Sequence, residues 1–107
     1  MKLLRICALA LIGLCVVAKA TPYDDKLAVL THGLPKDIRD FIDRRANCNH
    51  WAGEDAYDTE RRAQIEAATN QLGCGHLEKD GVALGRRYSK NGRALKALRV
   101  SKDLNPG

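Results

Sequence analysis

The placement of four cysteines constrains this chain more than any other feature. Cys7 and Cys15 lie in an uncharged, proline-free run from Ile6 to Ala18. Cys48 and Cys74 lie far downstream, among charged residues. Whether the downstream pair can bond depends on where the chain resides, and the first twenty residues speak to that. Lys2 and Arg5 precede the apolar run, and Ala18-Lys19-Ala20 closes it with small residues at the −3 and −1 positions of a cut. A cationic start, a short apolar stretch and an Ala-x-Ala site are the parts of a secretory signal peptide. The run of thirteen residues would rise about 20 Å as a helix, short of a hydrocarbon core of about 30 Å. Residues 1–20 are therefore expected to be a cleaved leader that leaves no stable membrane anchor. A lipid anchor on Cys15 is the weaker reading, because Leu14 is a large residue to stand before a lipidated cysteine.

Export changes what the composition means. Of 18 Lys+Arg, Lys2, Arg5 and Lys19 leave with the leader, so 15 face 13 Asp+Glu. A net charge of +2 is too small an excess to argue for nucleic acid or an anionic membrane. The 87 residues that remain suffice for one small domain, whose core is marginal without a staple. Cys48 and Cys74 are then the only thiols left, and an oxidising compartment favours their pairing. The bridge is expected to contribute about 3 to 3.5 kcal/mol by restricting the unfolded chain.

The pattern along the mature chain is helical. Thr21–Gly33 has no clear period and reads as a lead-in, with Leu27, Val29 and Leu30 able to fold back as a short turn. Gly33-Leu34-Pro35 marks a start, and Ile38, Phe41 and Ile42 recur at helical spacing, which predicts a helix over 35–47. Residues 48–57 read as a loop because Asn47, Asn49 and Gly53 are turn formers. Asp58 is the expected cap of a second helix that carries Ala63, Ile65 and Ala68 to Leu72 and stops at Gly73. Leu77, Val82, Leu84 and Tyr88 suggest a third helix, weakened by Gly81 and Gly85. Asn91 caps a fourth with Leu95 and Leu98 on its apolar side, and 105–107 reads as a loose end. The expected fold is all-α, a bundle of three to four short helices over 34–104, stapled by one disulfide and preceded by a signal peptide.

The stretch Cys48-Asn49-His50-Trp51-Ala52-Gly53-Glu54 resembles a group of small, secreted, uncharacterised proteobacterial proteins. Their pattern has an acidic-basic helix ending in Arg and Cys, then His, an aromatic, any residue, Gly and Glu. A Tyr/Asp-x-Glu-Arg helix start, a second Cys and a closing stretch with Leu, Arg-Tyr and Asn follow. Phe41 to Arg45, Cys48, His50, Trp51, Gly53, Glu54, Tyr57, Asp58, Glu60, Arg61, Arg62, Cys74, Leu84, Arg87, Tyr88, Asn91 and Leu98 match it. The resemblance spans 34–98 and implies a Gram-negative source and a periplasmic address; His76 lies outside it. It carries no activity with it.

Three chemistries compete for these residues. His50, Trp51, Gly53 and Glu54 form a candidate recognition loop, with Trp51 as an anchor and His50 and Glu54 as directional polar groups. The stronger reading is structural: Trp51 folds over the core beside the bridge, Gly53 takes a positive φ, and Glu54 caps a helix or pairs with an arginine. Cys48-x-His50 and Cys74-x-His76 could hold zinc, but one intervening residue is tight and oxidation competes for the thiols. A site of His50 and His76 alone is the remaining metal reading. An enzyme would need an activated group, and nothing marks a nucleophile, an oxyanion hole or a phosphate loop. The doublets Arg44-Arg45, Arg61-Arg62 and Arg86-Arg87 read as helix surface, paired at i±3 or i±4 with Asp40, Asp43, Asp58, Glu60 or Glu66. The expectation is a non-catalytic, periplasmic or secreted binding or accessory protein without a cofactor. It would act on a protein or cell-envelope partner in the manner of an inhibitor or immunity protein, and metal binding is the alternative.

Overall fold

The longest helix among the described residues begins where proline can no longer interfere. Pro35 stands at its N-cap, and helix α2 runs Lys36–Ala52. One face of it, Ile38, Phe41, Ile42 and Ala46, is buried. Those positions follow the i, i+3, i+4 rule, so a single stripe enters the core. Opposite it stands α5, Gly92–Val100, which buries Ala94, Ala97 and Leu98. The small alanines let the two helices approach closely, and Leu34 and Leu104 close the core.

The computed structural model describes residues 21–107, and the leader assigned to 1–20 lies outside them. The described part is all-helical, with five α-helices and the Cys48–Cys74 disulfide. The fifth helix is the segment expected to be a lead-in: α1 spans Pro22–Thr31. Thr21 and Asp24 form a reciprocal capping box, each side chain accepting from the other's backbone N–H at 3.1 and 3.0 Å. Tyr23, Leu27 and Leu30 pack against the core, whereas Val29 stays exposed. Gly33 turns the chain into α2 with φ +73°.

Helix α3 spans Thr59–Leu72, and α4 spans Leu77–Arg87 after a 3₁₀ turn over Cys74–His76. Asp58 caps α3, its Oδ1 accepting from the Arg61 amide at 2.7 Å, and Asn91 caps α5 by accepting from Ala94 at 3.0 Å. Gly73 ends α3 in the left-handed conformation, φ +67°. A Cβ at Gly73 would also lie 3.2 Å from Nη2 of Arg44, a contact the guanidinium must shift to relieve, but it is the positive φ that requires glycine there. Helix α3 buries no residue fully, and Ile65 and Ala68, expected as core, are only half-buried.

The segment before the loose end expected at 105–107 packs against the core. Ser101–Asp103 forms a 3₁₀ turn, Leu104 is buried, and Nδ2 of Asn49 donates to the carbonyls of Lys102 and Leu104 at 3.0 and 2.9 Å. Burial of Leu104 anchors the tail, and those two bonds fix its path along α2.

Candidate functional site

Helix α2 does not stop at Asn47. It runs five residues further, so Cys48, His50 and Trp51 belong to its last turns rather than to a loop. Gly53 caps it at φ −88°, in right-handed helical geometry, and the expected positive φ is not found. The extension places His50 and Glu54 one turn apart, with His50 Nε2 3.2 Å from Glu54 Oε1. Arg61, in the first turn of α3, reaches the same carboxylate oxygen at 3.3 Å. The other His50 ring nitrogen, Nδ1, lies 2.8 Å from the backbone oxygen of Gly107. A carbonyl only accepts, so Nδ1 donates, and Nε2 is left facing Glu54.

Trp51 sits inside this polar cluster and outside the apolar core. The Arg61 guanidinium lies over its ring at 5.3 Å, and the edge of His50 meets it at 5.3 Å and 76°. The ring stays half-buried, so it seals the α2–α3 corner instead of covering the core. A guanidinium over an indole is favourable, and here Glu54 also holds that guanidinium in place.

Next to this corner, Cys48 and Cys74 bond across a Cα–Cα distance of 5.7 Å and tie the end of α2 to the end of α3. Both sulfurs are thereby removed from metal ligation. His76 is exposed on the 3₁₀ turn, and among the described residues no three His, Cys, Asp or Glu side chains are grouped to hold a metal ion.

The arginine doublets divide in a way the spacing did not indicate. Arg44 crosses to the end of α3, where its Nε and Nη2 donate to the carbonyls of Leu72 and Gly73 at 2.5 and 2.7 Å. Its Nη1 meets Asp80 of α4 at 2.9 Å. A cation on the exposed carbonyls of a helix C-terminus satisfies both their hydrogen bonding and the helix dipole. Arg87 pairs with Asp37 at 2.9 Å, and Tyr88 donates to Asp37 at 2.8 Å. Desolvation pushes the Asp37 carboxyl up. The hydrogen bonds from Tyr88, Arg87 and the Ile38 amide together outweigh it and hold the group below the usual carboxylate range. Of the acids expected to pair along one helix, Asp40 meets Lys36, Asp43 accepts from Tyr23, and Asp58 is spent as a cap.

Arg45 is the residue that the spacing gave no reason to single out. It is 7 % exposed and lies with its guanidinium carbon 4.9 Å from the Phe41 ring centroid. It forms one end of a groove between α4 and α5 with a volume of about 270 Å³. Gly81, Val82, Gly85, Leu95 and Leu98 line its length. The clue in the sequence was the pair of glycines, which weakens α4 as a helix but opens its face.

No family model matches the chain, and no curated protein or solved structure shows significant similarity to it.

Proposed function

We propose that the chain is a non-catalytic binding or accessory protein of the periplasm. The observation that carries this reading is a contrast between its two polar sites. The His50–Glu54 pair is braced by Arg61 and by the Gly107 backbone oxygen and does not line the α4–α5 groove, so it reads as a tie between elements. The α4–α5 groove is open, and its lining offers apolar surface, cations and one carboxylate, with no histidine, hydroxyl or thiol. Such a lining suits recognition better than bond breaking. The disulfide and the Ala-x-Ala leader support a periplasmic address, and no described helix is long and apolar enough to cross a membrane.

The reading is tested by expressing the full chain in a Gram-negative host and weighing the folded product. The expected species is periplasmic, lacks residues 1–20 and is two hydrogens lighter than the dithiol. A cytosolic, full-length, folded product with free thiols would overturn the address. Turnover of a cell-wall or peptide substrate that is abolished by His50→Ala would overturn the non-catalytic role.

A further inference from the structure

We propose that the α4–α5 groove binds a medium-chain fatty carboxylate, its alkyl tail along Gly81, Val82, Gly85, Leu95 and Leu98 and its headgroup at Arg45. This deepens the binding reading above and rests on it. Three observations carry it, and the first is the state of Arg45. Its side chain is 9 % exposed, yet among the described residues its guanidinium makes one hydrogen bond, a 3.4 Å contact to the Leu98 carbonyl. Its ion pair is a loose 3.8 Å contact with Glu78, whose own side chain is 93 % exposed. A guanidinium carries five donors, and those of Arg45 that lack a partner keep some exposure to solvent. A carboxylate arriving in the groove would match their fork.

The second observation is the charge at that end. Arg99 and Lys102 join Arg45 there, against Glu78 alone, so the groove mouth is net cationic. The third is the floor. Gly81 is needed inside the fold, because a Cβ there would come within 3.1 Å of Phe41. Gly85 is not: a Cβ there would meet nothing within 4 Å. A glycine in a helix interior costs about 1 kcal/mol relative to alanine, and no packing among the described residues requires it. The space it leaves lies in the groove.

The size selects the occupant. A protein partner of ordinary affinity covers about 800 Å² per side around apolar anchors, and Val82 is the one exposed large apolar side chain in this lining. A groove of about 270 Å³ between two helices, with apolar residues and cations in its lining, fits a single tail and a single headgroup. The hollow between α2 and α4 has no such vacancy of charge, because its Arg44 and Arg87 are paired with Asp80 and Asp37 at 2.9 Å each.

The test titrates decanoate into the oxidised, leader-free protein and follows binding by calorimetry and amide chemical shifts. Decanol and decyltrimethylammonium serve as neutral and cationic probes with the same tail. The expected result is saturable decanoate binding with shifts at 81–85 and 95–99, at least ten-fold weaker binding of decanol, and none of the cation. Gly85→Leu keeps the fold, since its side chain enters open space, and is expected to weaken decanoate at least ten-fold. Lys102→Gln is expected to weaken it several-fold. Because Arg45→Gln disturbs a buried site, Gly85→Leu is the deciding variant. Equal binding of decanol, shifts at another surface, or an unaffected Gly85→Leu would overturn the proposal. If decanoate fails and an acidic amphipathic peptide shifts the same amides, the fatty-carboxylate assignment falls and the binding-protein reading stands.

Discussion

The two halves of this molecule are held by different physics. Where α2 faces α5, apolar side chains interlock: Ile38 and Ile42 are fully buried, and Ala94 and Ala97 lie against that face almost without exposure. Where α2 faces α3, no α3 residue is fully buried. What attaches α3 is a disulfide, the Arg44 clamp on its last carbonyls and the Glu54–Arg61 contact at its start. One helix can thus belong to a fold by burial and its neighbour by covalent and polar ties. Burial responds to side-chain volume, whereas such ties respond to oxidation, charge and pH.

Three measurements test that division and a fourth probes a polar tie on the α2–α4 side, taken from the largest effect to the smallest. Ile42→Ala removes buried methylenes from the α2–α5 core and is expected to cost about 2 to 5 kcal/mol in chemical denaturation, lowering protection of every helix together. If α3 alone lost protection, the two halves would not be divided as described. Reduction of Cys48–Cys74 is expected to cost about 3 kcal/mol. Hydrogen exchange should then rise first over 59–72 while the α2–α5 amides stay slow; uniform loss would make the bridge a global staple instead of a local tie. Arg44→Met keeps the aliphatic stem and deletes the clamp, at about 1 to 2 kcal/mol for charged hydrogen bonds on a partly exposed group. Its effect should be larger in reduced than in oxidised protein, because each tie then carries more of α3.

The smallest effect is a pH dependence at Asp37, on the α2–α4 side. Its carboxyl is held low in the folded protein, so its contribution is present above the unfolded value near 3.8 and is lost as pH falls through the folded value. Asp37→Asn should therefore destabilise at pH 7 and approach the parent protein's stability as pH falls through the lowered folded value. A gap of constant size down to pH 2 would show that the Tyr88 and Arg87 contacts act without the charge.

The features legible in the sequence were those with local causes. Asp58 and Asn91 cap their helices, and Gly73 stops α3, because each satisfies backbone groups within four residues of itself. The turn formers Asn47 and Asn49 misled for the complementary reason. Asn47 donates back to the Asp43 carbonyl one turn earlier, and Asn49 donates to the tail, so neither side chain competes with the helix and α2 continues to Ala52. Helix α1 was legible in principle. Thr21 and Asp24 have capping-box spacing behind Pro22, and Tyr23, Leu27 and Leu30 recur at i, i+4, i+7, but an exposed Val29 blurred that stripe.

The candidate site divides the same way. Cys48 and Cys74 were legible as a pair because, on the expectation of export, they are the two thiols left and an oxidising environment favours their bond. The link between His50 and Glu54 followed once both lay on one side of a helix end, a fact of helix length that turn propensities obscured. The groove at Arg45 was not legible, since its depth comes from where α5 lies against α4.

By itself, then, the sequence determined helical elements, their caps and stops, and the bond between two sulfurs, all of which depend on near neighbours or on the compartment. The tertiary structure decided which arginine clamps, which pairs and which is buried. A guanidinium finds its partner by reach across the fold, and residues 44 and 45, adjacent in sequence, point to opposite sides of one helix's contacts: the first to the carbonyls ending α3, the second into the space between α4 and α5.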